Sequence, residues 1–159
     1  MHFFSITGFV TVVMILLPNI LYMFTAKKQT KKSEIKNDIP KVIYILENIG
    51  RYACLILMII NTGFLETGYI GPNAQPLRII LSIILTVLYL FAWLIYFMEL
   101  KFTLPLCLAL SVIPSLLFFL SGLLCGKWTL LFFSVIFAVC HIYISYKTAP
   151  KEILIKEDA

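Results

Sequence analysis

What most constrains this chain is a succession of apolar runs, each closed by charges or by turn-forming residues. A run of roughly 18 or more apolar residues is long enough to cross the hydrocarbon of a bilayer as a helix. No water is present there to satisfy backbone N–H and C=O groups, so only helices or closed barrels are admissible. The runs are continuous and do not alternate with period two, which selects helices. The fold class expected is all-α: a polytopic membrane protein, a bundle of about five transmembrane helices in one domain over residues 1–159. Composition agrees, with 61% hydrophobic and 13% charged residues and a mean hydropathy of +0.98, far from the soluble average.

The spans fall at about 3–24, 40–65, 77–98, 103–124 and 127–146. Lys27, Lys28, Lys31 and Lys32 close the first, and the lysine-rich segment 26–38 is the longest polar stretch. Asp38-Ile39-Pro40 reads as a helix start, with Asp38 the N-cap candidate and proline in the first turn. The Gly68–Pro76 segment, rich in Gly, Pro and Asn, breaks the chain before the third span. Glu99 and Lys101 mark a very short turn, and a charged tail occupies 147–159.

Alternating connections place Lys27, Lys28, Lys31, Lys32, Lys36, Lys41, Lys101, Lys147, Lys151 and Lys156 on one side and only Arg78 and Lys127 on the other. Lysine-rich loops stay in the cytoplasm, so the N-terminus is expected outside and the C-terminus inside a multi-pass cell-membrane protein. Met1-His2 leads directly into the apolar run without the positive start of a secretory signal, so the first segment is expected to be retained. The net charge of +5 is topogenic in its distribution, and no nucleic-acid partner is expected. Cys54, Cys107, Cys125 and Cys140 lack metal-ligand spacing and read as small packing residues. No metal or cofactor is expected.

Polar residues within the spans carry the functional reading. Glu47 and Arg51 are four residues apart and share a helical face, where the pair neutralises itself. Glu47 lies six residues past Lys41, roughly 9 Å along the helix, so the pair fits either an interfacial, snorkelling role or a pocket. His141 lies six residues before Lys147 and hence at a similar depth, on the cytoplasmic side. In the third span Ser82, Thr86, Tyr89, Trp93 and Tyr96 form one stripe that should face the bundle core, although Trp93 and Tyr96 also suit an interfacial belt. Pro18 loosens the first span beside Asn19. The candidate ligand-binding residues are Asn19, Glu47, Asn48, Arg51, Trp93, Tyr96, His141 and Tyr143, with no catalytic or metal residue among them. Gly122 and Gly126 have the GxxxG spacing of close helix packing.

These residues point to a protein that binds, senses or transports a small amphipathic molecule, its polar or anionic head at Arg51 and its apolar body at Trp93 and Tyr96. An accessory subunit of a membrane complex, or a homo-oligomer, also fits the short loops. A lipid-modifying enzyme with His141 or Glu47 as acid or base is the third reading, and no HExxH, GxSxG or clustered-carboxylate motif supports it. Size and span number resemble the tryptophan-rich sensory, or translocator, proteins. Trp93 and Trp128 are the only tryptophans, so that family's dense Trp/Pro pattern is missing and no site residue follows from the resemblance.

Overall fold

A computed structural model describes residues 4–26, 39–100 and 102–149. It is all-helical: α1 (Ile6–Ala26), α2 (Lys41–Ile59), α3 (Ala74–Glu99), α4 (Leu104–Leu124) and α5 (Trp128–Thr148). All five are long and apolar enough to cross a membrane. The Asp38 N-cap lies outside the described residues. Pro40 itself occupies the cap position of α2, without a side-chain cap bond.

The helices close into a ring. α1 packs on α2 and α3, α2 on α5, α5 on α4, and α4 on α3, with α4 also reaching α2. Outward faces are apolar: Ile80, Ile83, Ile84, Val87, Leu88 and Phe91 are exposed along α3, and Val10, Val13, Met14 and Leu17 along α1. The inward stripe of α3 buries Tyr89, Trp93 and Tyr96. An apolar exterior around a more polar interior is the inverse of a soluble protein and suits a lipid solvent.

Close approach is achieved with small residues. A Cβ on Gly122 would lie 2.9 Å from the Leu131 backbone nitrogen, and one on Gly50 would lie 3.0 Å from that of Phe137. Gly8 sits directly against the Met58 carbonyl, so no larger residue fits where α1 crosses α2. Ser111, Ser115 and Ser121 on α4 and Ser134 on α5 are buried. The hydroxyls of Ser111, Ser115 and Ser134 bond to carbonyls in the preceding helical turn. Gly126, of the GxxxG pair, is in the α4–α5 turn at φ 60° and packs against Gly68, so the spacing serves packing within this chain.

The second span ends six residues earlier than the sequence suggests. Ile60 turns extended at the C-cap and bridges Phe4. Lys127 supplies the reason: its Nζ donates to the Leu57 carbonyl at 3.0 Å and the Ile60 carbonyl at 3.2 Å. A cation on the terminal carbonyls satisfies groups that a continuing helix would have bonded, and it complements the helix dipole. Glu66 then accepts from the Thr62 backbone N–H at 2.9 Å and from its hydroxyl at 3.1 Å, folding 60–73 into a loop. Leu65 lies in that loop at φ 52°. The third helix begins three residues earlier than expected, at Ala74. Pro76 falls in its first turn, where a missing N–H costs nothing.

Candidate functional site: a cavity at the lysine-bearing end

The ring surrounds a half-open cavity of about 620 Å³, lined from all five helices and displaced toward the end that carries Lys41 and Lys147. Sites for small molecules generally occupy about 300–1,000 Å³. Ile15, Leu16, Leu55, Leu110 and Phe118 make apolar walls, and Asn19, Arg51, Tyr89, Ser111, His141 and Ser145 add polar groups.

Register explains why these polar groups meet. Eleven residues from the Gly8–Met58 contact, along each helix, bring Asn19 about level with Glu47. The same count from the Gly122–Leu131 contact brings Ser111 about level with Ile142, beside His141. The direct contacts agree. Asn19 Nδ2 donates to the Tyr89 hydroxyl at 2.9 Å and to the Ile15 carbonyl at 3.0 Å. His141 Nδ1 is 3.0 Å from Glu47 Oε1. Arg51 donates to the same carboxylate oxygen one turn along α2.

Glu47 is the organiser of this layer. Its side chain is 4% exposed, against 23% for His141 and 41% for Arg51, and it does not line the cavity while its two partners do. A buried carboxylate requires partners, and here one comes from its own helix and one from α5. Donation from Nδ1–H to this carboxylate selects the tautomer in which Nε2 is the unprotonated ring nitrogen. The imidazole is further held by stacking on Phe137, with centroids 4.7 Å apart and planes at 19°.

The aromatic wall is continuous. Tyr22 contacts Trp93, Tyr96 and Phe102, and Tyr96 stacks on Phe102 at 4.1 Å. Trp93 lines the cavity; Tyr96 stands behind it as support. The Trp93 indole Nε1, buried near Tyr89, makes no well-formed hydrogen bond.

Of the residues chosen from sequence, Asn19, Arg51, Trp93 and His141 come together at the cavity and Glu47 lies directly behind them. Asn48 points elsewhere: it is exposed, and its amide donates to the Tyr44 carbonyl at 2.9 Å. Tyr143 is also exposed, with Lys147 Nζ 5.9 Å above its ring. Asn48 lies about 100° around α2 from the buried Glu47, on the exposed side of Arg51. Tyr89, Ser111 and Ser145 were missed. Tyr89 carried a signal in the α3 stripe, whereas the serines of α4 and α5 resemble any packing serine.

The opposite end holds its charge differently. Arg78 is buried and donates from Nη2 to the Thr7 hydroxyl at 2.6 Å, tying α3 to α1. Burial holds the Lys127 ammonium below the usual lysine range, with Glu66 opposing the shift. Burial also pushes the adjacent Cys125 thiol upward, against the pull of Arg78 and Lys127. Among the described residues, no group of three His, Cys, Asp or Glu side chains is arranged to hold a metal ion.

Fold and site together define the class: an all-helical protein with five candidate membrane spans arranged around a polar-lined cavity. Comparison with protein-family models, with curated proteins and with solved structures gives no match.

Proposed function

We propose that this chain is a multi-pass cell-membrane protein that binds, and passes or senses, a small amphipathic molecule in the five-helix cavity. The observation that carries the reading is the convergence of Arg51, His141, Asn19 and Tyr89 from four helices onto one apolar-walled cavity. A polar head engages this layer, and the apolar body lies against Trp93, Leu55 and Phe118. Polar groups inside a lipid-solvated bundle are costly unless they are paired or used, and Arg51 is only partly used by Glu47. The lysine distribution orients the chain with its N-terminus outside and the cavity in the cytoplasmic half. Arg78 and Lys127, the two cations that depart from that distribution, are consumed in the protein's own contacts.

Trp93 reports directly on occupancy. In Trp128→Phe protein held in phosphatidylcholine nanodiscs, Trp93 is the remaining tryptophan, and it is buried, 5% exposed. Titration with a bromine-tailed decyl maltoside should quench its fluorescence saturably. Arg51→Ala should weaken that saturation about tenfold, the equivalent of ~1.4 kcal/mol. Linear, unsaturable quenching identical in both proteins would mean partition into bilayer alone and would overturn the proposal.

A further inference from the structure

Resting on the binding role proposed for this cavity, we infer that its occupant carries an oxyanion head and that binding takes up one proton on His141. The charges of the polar layer lead to this. Glu47 and Arg51 form a pair whose charges cancel, and His141 completes the layer through Nδ1 on the same carboxylate oxygen. With a neutral imidazole the layer has no net charge. A further anion against these largely apolar walls would then stand as an uncompensated, partly desolvated charge, which is unfavourable. Protonation of His141 cancels it and turns Nε2 from an acceptor into a donor, next to the N–H groups that Arg51 still has free. The donors available to a head group are consistent with an anion: the Arg51 guanidinium and the Tyr89 hydroxyl both belong to cavity-lining residues.

The surroundings of His141 single it out as the titrating group. From α2 it meets Glu47 and Arg51. Among the described residues that line the cavity, α1 brings the phenol Tyr22, α2 the phenol Tyr52, α3 the phenol Tyr89 and α4 the thiol Cys107, and none of these gains a positive charge. On its own helix, Cys140 is buried, and Tyr143 and Lys147 are exposed and pair with each other. Glu47 is thus a positioning residue with an opposing charge. It aims Arg51 and His141 at the cavity while setting the need for a proton.

The sign of the pH dependence follows from linkage. If the occupied site holds one proton more than the empty site, affinity falls as pH rises, by up to about tenfold per unit. The probes share a decyl chain: decyl sulfate, anionic throughout, and decyl maltoside, uncharged, with inorganic sulfate as the tail-free oxyanion. Binding is read by competition against the bromine-tailed maltoside on Trp93 in neutral-lipid nanodiscs at pH 6 and pH 8. Decyl sulfate should bind at least about tenfold more tightly at pH 6, and decyl maltoside equally at both. His141→Gln should hold decyl sulfate at one weak affinity at pH 6 and pH 8 alike, abolishing its pH dependence. Glu47→Gln provides the discriminating arm. Removing the carboxylate charge frees Arg51, so decyl sulfate should bind at pH 8 as it does to the unmodified protein at pH 6; a role confined to structure would weaken it instead.

Decyl sulfate binding that ignores pH, or weakens in Glu47→Gln, overturns the proton-linked anion site and leaves amphiphile binding standing. Inorganic sulfate competing as strongly as decyl sulfate identifies a free oxyanion and overturns the amphiphile. Binding of no probe at all overturns both.

Discussion

The two ends of the bundle carry comparable polarity and use it in opposite ways. At the end where α2 finishes, Lys127 caps the Leu57 and Ile60 carbonyls, Arg78 holds Thr7, and Gly8 lets α1 sit directly on Met58. At the lysine-bearing end, Arg51 and His141 share one buried carboxylate and face a cavity of about 620 Å³. The first end closes the ring by satisfying backbone groups. The second keeps it open by satisfying only part of each side chain. A polar residue within a span is therefore not evidence of a site until its partners have been counted.

The largest effect should come from the closed end. Gly8→Val places side-chain atoms against the Met58 carbonyl, forcing α1 off α2 at a cost of about 3 kcal/mol. A collapse of folded yield in fluorescence-detected size-exclusion chromatography checks this. Lys127→Met leaves two helix-terminal carbonyls without their donor, and should cost about 2 kcal/mol in thermal denaturation with Trp93 quenching by the maltoside unaltered in the folded fraction. Parallel loss of stability and binding on Lys127→Met would erase the contrast between the ends.

At the open end the pattern should reverse. Arg51→Ala weakens maltoside binding about tenfold, ~1.4 kcal/mol, with a smaller change in melting temperature, because this guanidinium is substantially exposed to the cavity. The smallest effect is expected from Asn19→Leu, which removes the hydrogen bond to Tyr89 across the α1–α3 seam. Interhelical bonds of this kind are worth about 0.6 kcal/mol in lipid, so the change should be a slight drop in melting temperature. A drop as large as that of Lys127→Met would show that α1 is held at the open end and not at the crossing with α2.

Much of this organisation was legible in residue spacing. The five apolar runs give five helices, each long and apolar enough to cross a membrane, where backbone groups must bond internally. The four-residue step from Glu47 to Arg51 gave that pair, and the matching depth of His141 made a contact with Glu47 conceivable, but spacing alone did not bring α5 beside α2. The inward face of α3 followed from its polar stripe. What spacing could not supply was lateral placement. The end of α2 at Ile59 is set by Lys127, which lies far away in sequence and in a different turn. Ser111 and Ser145 line the cavity through the register of α4 and α5, which is fixed by the approach of Gly122 to Leu131. Asn48 falls outside the cavity because it lies about 100° around α2 from Glu47 and its amide bonds the Tyr44 carbonyl on the exposed side.

The most direct test of the account is native mass spectrometry of the protein released gently from its own membrane, alongside Arg51→Ala. The account predicts one small molecule retained per chain and lost from the variant. A bare chain, or one held to a stoichiometric protein partner with no small molecule, would contradict it and leave the polar layer as a docking element of a larger membrane complex.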